Sequence, residues 1–363
     1  MKRLLIVFTG GTIGSRSAGG EIQVNEAGSY ALLDAYNASD WKRNDVAMDT
    51  IQPLNILSEN MTPNHWSTLS AAIKEADWNA YTGIIVTHGS DTLAYTAAMF
   101  SYLFADITIP LVFTASNYPL ADERSNGLSN FGHSIDYIMD SGLPGVFVVY
   151  ANDQAEPIVY LGTRITQCEP FTDQFRCPYG IPYGKMTNRR FEWLAHEFNP
   201  SPEKLRGRES AGLAAWKPES FVIDSSIVYV KPYPGLNYSY YRFGDGDERP
   251  KAILHDLHHS GTACAADDGP YSLTRFIEAC RAQNIDVYLC PIKDSSDSLY
   301  SSSLKLIEAG AIVIEKLSVE AALTKLMLGW GLYGEAADGR DSVKSFVTGT
   351  SIFYERNEAC DDY

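Results

Sequence analysis

The stretch LLIVFTGGTIG, residues 4–14, contains an apolar run that ends abruptly at Thr9-Gly10-Gly11-Thr12. A short run rich in Val, Ile and Leu is typical of a strand buried on both faces of a parallel sheet. Two glycines directly after such a strand allow main-chain N–H groups to approach a ligand without obstruction by a Cβ atom. Because open α/β sheets bind ligands at the carboxyl ends of their strands, this stretch predicts an α/β fold and the place of a site.

Further short runs of this kind, rich in Val, Ile and Phe, recur along the chain. They are residues 83–87, 111–114, 146–150, 227–230, 252–257, 287–290 and 311–314. Amphipathic helical patterns lie between several of them, one with Leu93, Ala97, Phe100 and Leu103 at helical spacing and another after Ser272-Leu273-Thr274. The alternation of strands and helices predicts βαβ units with right-handed crossovers.

The length of 363 residues exceeds what one ordinary hydrophobic core supports, and it predicts two domains. From about Asn199 to Pro218 the periodic pattern gives way to sequence rich in proline, glycine and charge, which is typical of a linker. We therefore predict a larger N-terminal domain over residues 1–198, a linker over residues 199–224 and a smaller C-terminal α/β domain over residues 225–363.

The composition is that of a globular protein, with 45% hydrophobic and 20% charged residues. A net charge of −16 disfavours nucleic acid as a partner, because phosphate binding relies on clustered Lys and Arg. The apolar run of residues 4–8 is too short for the hydrophobic region of a signal peptide. The six cysteines follow no regular spacing. These features predict a cytoplasmic protein with reduced thiols and no membrane partner.

The segment Thr9-Gly10-Gly11-Thr12-Ile13-Gly14 presents a hydroxyl between glycines at the end of a strand. It lacks the lysine of a Walker-type phosphate loop and the Gly-x-Gly-x-x-Gly spacing of dinucleotide-binding turns. A hydroxyl in this setting suits a nucleophile whose oxyanion is met by main-chain N–H groups. A tight glycine turn with an incidental threonine is the alternative interpretation of this segment on its own.

A second segment, Thr87-His88-Gly89-Ser90-Asp91-Thr92, also follows an apolar run and precedes the helical pattern that starts at Leu93. Ser90 or Asp91 at this place suits a helix N-cap, the commonest use of such residues before a helix. A carboxylate at the end of a strand is also able to hold the ammonium group of a substrate, so capping and catalysis are compatible here. His88 on its own indicates a structural histidine.

Taken together, these two segments resemble the bacterial-type asparaginase and glutaminase family. Further stretches resemble its loops and its C-terminal domain, so the likeness extends over nearly the whole chain. They are Ser58-Glu59-Asn60-Met61-Thr62-Pro63, Phe113-Thr114-Ala115-Ser116-Asn117, Arg124-Ser125-Asn126-Gly127, Tyr233-Pro234-Gly235, and residues 308–311 and 320–326. The likeness is nearer to the cytoplasmic (type I) branch than to the exported branch.

The resemblance implies an α/β fold with a larger, doubly wound, mostly parallel N-terminal domain and a smaller C-terminal α/β domain, assembled as dimers or dimers of dimers. It implies hydrolysis of the side-chain amide of asparagine through an acyl-enzyme on Thr12. Ser90 and Asp91 are then the other catalytic residues, and no metal or organic cofactor is implied. The residues implied for substrate binding are Gly11, Ser58, Glu59, Gly89 and Ser116, the last through its backbone.

Two positions depart from the family pattern. Gln167 stands where the family has a lysine, and glutamine supplies neither an amine base nor a cation. Glu21 stands where the family has a tyrosine that assists the nucleophile, and Tyr30 in the same segment is a candidate substitute. These departures favour two alternatives: a relative that hydrolyses another amide, such as glutamine or an asparagine derivative, and a ligand-binding relative of low activity.

A third unusual stretch is His255-Asp256-Leu257-His258-His259-Ser260-Gly261-Thr262. Three imidazoles with the nearby Cys264 suggest a metal site. However, strand alternation turns His255 away from at least one of the paired histidines, and no second cluster of ligands is evident. We therefore predict no metal, and we favour a loop that lines the substrate pocket of a neighbouring subunit.

Overall fold

The computed structural model describes residues 1–11, 15–18, 21–24, 28–152, 155–207, 221–244, 249–292 and 298–360, with the backbone alone for residues 15–18, 21–24 and 28–30. The chain divides into two compact units. Unit 1 comprises Met1–Pro218, Ile352–Tyr354 and Glu358–Tyr363, and unit 2 comprises Glu219–Ser351 and Glu355–Asn357. The boundaries at residues 198 and 224 stay a prediction.

Unit 1 is built on strands that fall mostly into one sheet. The strands are β1 (Lys2–Phe8), β2 (Ser15–Ala18), β3 (Glu21–Val24), β4 (Val46–Ile51), β5 (Gly83–Thr87), β6 (Pro110–Thr114), β7 (Gly145–Tyr150), β8 (Ile158–Leu161), β9 (Thr166–Glu169), β10 (Gln174–Arg176), β11 (Gly184–Thr187) and β12 (Arg190–Trp193). Eight of them form one sheet in the order β12-β11-β8-β7-β6-β5-β1-β4. The five strands from β7 to β4 are parallel, whereas β8, β11 and β12 pair antiparallel.

Helices cover both faces of this sheet. They are α1 (Gly28–Ala38), α2 (Pro63–Lys74), α3 (Leu93–Leu103), α4 (Gly127–Ser141) and α5 (Pro202–Arg206). On one face Val112 of β6 shares a core with Leu32 of α1 and Phe131 of α4. On the other face the adjacent residue, Phe113, packs against Phe100 of α3 with ring centroids 5.4 Å apart. Successive strand residues point to opposite faces, so the sheet of unit 1 is doubly wound.

Unit 2 has a smaller parallel sheet of order β13-β14-β15-β16. Its strands are β13 (Ile227–Val230), β14 (Ala252–His255), β15 (Asp286–Ile292) and β16 (Ile312–Glu315), and its helices are α6 (Leu273–Ala282), α7 (Ser301–Glu308), α8 (Val319–Tyr333) and α9 (Gly339–Gly349). Helix α6 starts where the sequence predicts, because the Ser272 hydroxyl accepts the Arg275 N–H at 3.2 Å. Its buried face is formed by Leu273, Phe276, Ile277 and Cys280.

The predicted fold class is confirmed: the chain is an α/β protein with a larger, mostly parallel, doubly wound sheet and a smaller α/β unit. None of the described helices combines the length and the apolar character that crossing a membrane requires.

Candidate active site

Four loops follow the carboxyl ends of β4, β1, β5 and β6, which are neighbours in the sheet of unit 1. Parallel strands end at the same edge of a sheet, so these loops lie side by side. Two predicted site segments, residues 9–14 and 87–92, follow adjacent strands, because Phe8 of β1 pairs with Thr87 of β5. The edge is therefore the candidate active site.

The loop after β1 is held close to its neighbours by two glycines. Ile56 donates its N–H to the Thr9 carbonyl and accepts the Gly11 N–H, each at 2.9 Å. Gly10 and Gly11 have φ angles of 98° and 75°, which side chains disfavour. A Cβ atom on Gly11 would lie 2.7 Å from the Gly89 nitrogen. Only glycine therefore permits this turn, and the turn brings Gly11 against Gly89.

Thr12, the predicted nucleophile, directly follows Gly11 and lies outside the described residues, as do the side chains of Glu21 and Tyr30. The residues that precede Thr12 are held at the sheet edge. The Thr9 hydroxyl donates to the Thr87 carbonyl at 2.8 Å, which ties the loop after β1 to the end of β5.

Ser58 and Asp91 meet at this edge although they come from different loops. The Ser58 hydroxyl donates to the Asp91 carboxylate at 3.4 Å, a long and therefore weak hydrogen bond. Ser58 is buried and Asp91 is exposed. A Cβ atom on Gly89 would lie 2.6 Å from the Ser58 Cβ. Gly11, Gly89, Ser58 and Asp91 are thus brought together. Glu59 is exposed beside them, and we find no hydrogen bond or ion pair of its side chain among the described residues.

Ser90 and Asp91 do not cap the helix that follows them. Helix α3 starts at Leu93 with Thr92 as its N-cap residue, so the capping interpretation of Ser90 or Asp91 is wrong. Ser90 is partly exposed and Asp91 is exposed. Their polar groups are therefore not occupied by helix capping.

The loop after β6 is closed by its own polar side chains. The Ser116 hydroxyl donates to the Tyr118 carbonyl at 2.5 Å and lies 2.9 Å from the Ser125 hydroxyl. Asn117 and Asn126 exchange two hydrogen bonds, each from a main-chain N–H to the side-chain oxygen of the other, at 3.0 Å. The Ser116 side chain is thus engaged within its own loop. A role for Ser116 toward a substrate falls to its backbone, as the resemblance implies.

His88 is fully buried beneath this edge. Its Nδ1–H donates to the Gly89 carbonyl at 2.8 Å, and its ring packs against Phe113 with centroids 6.3 Å apart. Its Nε2 atom has no hydrogen-bond partner within the described part of the chain. Burial lowers the pKa of His88 to about 4, because the charged imidazolium is poorly solvated there. His88 is therefore a neutral structural residue near neutral pH.

The lowered pKa of His88 predicts acid destabilisation of the native state. An ordinary histidine has a pKa near 6.5, so between about pH 6.5 and 4 the unfolded chain binds the proton more readily than the folded chain. The contribution of neutral His88 to the free energy of unfolding is complete above about pH 6.5. It is lost as the pH falls toward 4, and the loss amounts to up to about 3 kcal/mol. We expect the melting temperature to fall less over this range in His88→Asn, which does not titrate. Parallel pH profiles of the two proteins would contradict this.

Strand β9 carries Gln167, the residue at the position of the family lysine. Gln167 is exposed. The pKa of the neighbouring Cys168 thiol is raised to about 12, first by burial and then by the negative charges of Asp173 and Asp91. Cys168 is thus close enough to Asp91 for the carboxylate charge to act on its thiol. It follows that β9 borders the candidate site.

The histidines at the end of β14 and in the loop after it do not converge. His255 is buried, with its Nδ1–H donating to the Asp256 carbonyl at 2.5 Å and its Nε2 accepting the Tyr238 hydroxyl at 2.8 Å. Burial lowers the pKa of His255 to about 4. His258 and His259 are exposed. Among the residues that the structure describes, no group of three His, Cys, Asp or Glu side chains is placed to hold a metal ion.

Comparison with known proteins identifies the family to which the chain is similar. A family model described as asparaginase, N-terminal, matches residues 3–198. The L-asparaginase of Thermococcus kodakarensis is 27% identical over 340 residues, which cover 91% of this chain and 92% of that protein. One component of the glutamyl-tRNA(Gln) amidotransferase of Pyrococcus furiosus is 25% identical over 359 residues, which cover 95% of this chain and 75% of that component.

The fold of this chain is also similar to the solved structure of the thermostable L-asparaginase from Thermococcus kodakarensis. The TM-score is 0.76 at 22% identity, over 98% of this chain and 100% of that one. The family model alone matches more than half of the residues. This chain therefore belongs to the asparaginase family and is an amidohydrolase.

Proposed function

We propose that this chain hydrolyses the side-chain amide of L-asparagine to L-aspartate and ammonia through an ester on Thr12. The observation that carries this proposal is the convergence of Gly11, Gly89, Ser58 and Asp91 at one edge of a parallel sheet. Thr12 directly follows Gly11 in the sequence, and the site that Gly11 borders holds a carboxylate and a buried serine. These are groups that can bind the two charged ends of an amino acid.

The catalytic roles follow from this arrangement. The Thr12 hydroxyl attacks the amide carbon, the tetrahedral intermediate collapses with loss of ammonia, and water then hydrolyses the ester. The Gly11 N–H already donates to the Ile56 carbonyl, so we assign the oxyanion to main-chain N–H groups of the loop after β5, at Gly89 and Ser90. The Ser90 hydroxyl assists proton transfer.

Substrate binding is assigned to the remaining groups. The Asp91 carboxylate holds the substrate ammonium. Ser58, with the backbone of Glu59, holds the α-carboxylate, because the weak 3.4 Å bond from Ser58 to Asp91 is readily exchanged for one to a substrate. The backbone of Ser116 lines the amide end. No metal or cofactor takes part in this scheme.

Ammonia release from L-asparagine and L-glutamine, measured between pH 5 and 9, tests the proposal. A kcat/KM for asparagine well above that for glutamine supports it. A preference for glutamine would favour a relative acting on another amide, an alternative that the likeness to an amidotransferase component and the glutamine at position 167 both support. Binding of L-aspartate without any turnover would favour a ligand-binding relative.

We further propose a cytoplasmic protein that takes part in asparagine breakdown and has no nucleic-acid partner, since the chain carries a net charge of −16. The described helices offer no membrane span.

We expect the active protein to be a homo-oligomer, a dimer or a dimer of dimers. The resemblance implies a site that is completed by the C-terminal domain of a neighbour, where the exposed His258 and His259 would line the pocket. Light scattering on the eluting active fraction should give at least twice the mass of one chain. An active monomer at the assay concentration would contradict both the assembly and the role of that loop.

A further inference from the structure

Thr92 occupies the N-cap position of α3 without capping the helix. A threonine at this position ordinarily accepts a hydrogen bond from an N–H of the first helical turn. The Thr92 side chain makes no such bond. Its hydroxyl donates instead to the main-chain carbonyl of Ser58, at 2.8 Å. The side chain therefore joins the loop after β5 to the loop that contains Ser58, and the helix forgoes a cap.

The Ser58 carbonyl is the centre of a compact turn. It also accepts the Met61 N–H at 3.0 Å, so two donors fix one oxygen. The turn continues into α2, where the Thr62 N–H donates to Nδ1 of His65 at 3.2 Å. On its other side Ile56 is bonded to the loop after β1. Thr92 is thus the contact that fixes the middle of this turn against the loop of Asp91.

Helices α2 and α3 are joined by a separate contact. The indole N–H of Trp66 in α2 donates to the Thr96 hydroxyl in α3 at 2.9 Å, and both side chains are buried. Thr96 lies one turn further along α3 than Thr92, away from the site loops. The bond from Thr92 to Ser58 therefore has a local effect, on where Ser58 stands relative to Asp91.

We propose that Thr92 is a positioning residue that sets the distance between Ser58 and Asp91, and thereby the fit of the carboxylate and the ammonium of the substrate. This inference rests on the proposed amide hydrolysis, in which Ser58 and Asp91 hold those two groups. Thr92 itself touches neither the substrate nor the reacting atoms. Its loss should weaken substrate binding more than it slows the chemical step, because Thr12 and the groups around the oxyanion keep their places.

The test is Thr92→Val, which keeps the shape of the side chain and removes the hydroxyl. We expect KM for the amide substrate to rise about tenfold, the effect of losing one hydrogen bond, with kcat changed less than about threefold. Thr92→Ser keeps the hydroxyl and should restore KM to within about threefold of the wild-type value. A wild-type KM in Thr92→Val, or no rescue in Thr92→Ser, would overturn the proposal.

Thr96→Val is the matched control, because it removes a buried threonine hydroxyl of the same helix that links α3 to α2 and lies outside the site loops. It should lower the melting temperature and leave KM unchanged. If Thr96→Val raised KM as much as Thr92→Val, the effect of Thr92 would be one of general stability.

Hydrogen exchange separates this inference from the proposed function, because it needs no substrate. The Met61 amide bonds to the Ser58 carbonyl and reports on the turn directly. Its exchange should be faster in Thr92→Val than in the wild type and unchanged in Thr96→Val. Failure of the wild type to release ammonia would contradict the proposed function. The exchange rates of the Met61 amide would still decide whether Thr92 fixes the turn. Equal rates in all three proteins would refute the positioning role.

Discussion

Replacement of Thr12 by alanine is expected to lower the rate of amide hydrolysis by at least about 10³-fold while the protein keeps its fold. Gly11 is bonded to Ile56 and lies against Gly89, so the chain reaches residue 12 at the edge where Ser58 and Asp91 meet. Alanine removes one hydroxyl and leaves this frame unchanged. Ammonia release measures the activity, and the melting temperature checks that the fold is retained.

Thr12→Ser is the control for the chemistry of this position. It keeps a hydroxyl and should retain measurable turnover. With a slow substrate, mass spectrometry should find an acyl group on the peptide that contains residue 12 in the wild type and none in Thr12→Ala. Full activity of Thr12→Ala would remove Thr12 as the nucleophile and would require another hydroxyl, with Ser90 the first to test.

Several strands that the sequence locates well are covered on both faces. Residues 83–87 coincide with β5, and β6 and β7 each begin one residue before the predicted run. Residues 227–230 coincide with β13 although that strand is only partly buried. A strand covered on both faces must be apolar along its whole length, so its ends are visible as a change in composition. Residues on β5 and β7 are buried without exception, in agreement with this.

The sequence does not reveal the strands of the antiparallel part of the large sheet. Strands β8, β11 and β12 are only four residues long. β12 alternates between exposed and partly buried residues, and β4 is partly buried along most of its length. β11 and β12 have exposed residues and carry little apolar signal, so the neighbouring strand defines them. β8 is apolar and mostly buried, and the sequence pattern alone does not separate so short a run from the loops around it. Their pairing partners are set by tertiary structure, which a local pattern does not contain.

The candidate site likewise has features that the sequence reveals and features that only the structure shows. The glycines of the loop after β1 and the segment 87–92 were visible as motifs. Their proximity depends on β1 lying next to β5 in the sheet, and strand order cannot be obtained from the motifs alone. The sequence favours Ser90 or Asp91 as the cap of this helix and gives no signal for Thr92. Only the structure shows that its hydroxyl is used elsewhere.

Gln167 stands at the position that the resemblance matches to a lysine of the family. The negative charge of Asp91 raises the pKa of the Cys168 thiol, so β9 lies near the site. The nearest lysine in sequence, Lys185, is exposed and pairs with Glu156 at 2.9 Å and Glu192 at 3.7 Å. It is thus engaged in surface ion pairs. These contacts disfavour Lys185 as the group that replaces the family lysine.

Gln167→Lys is therefore expected to raise kcat/KM by about 10²-fold, because a positioned proton-transfer group contributes a factor of about this size or more. The charge of Asp91 acts on Cys168, whose side chain points to the opposite face of β9 from residue 167. The gain therefore requires the long, flexible lysine side chain to bring its ammonium to Asp91, where it relays protons through Ser90. Gln167→Met, of similar length and without charge, is the control and should give no gain. A fall in rate with Lys would mean that another cation already serves the site and repels the new one. An unchanged rate would place residue 167 outside the proton path, and the correspondence between Thr166-Gln167 and the lysine segment of the family would have to be given up.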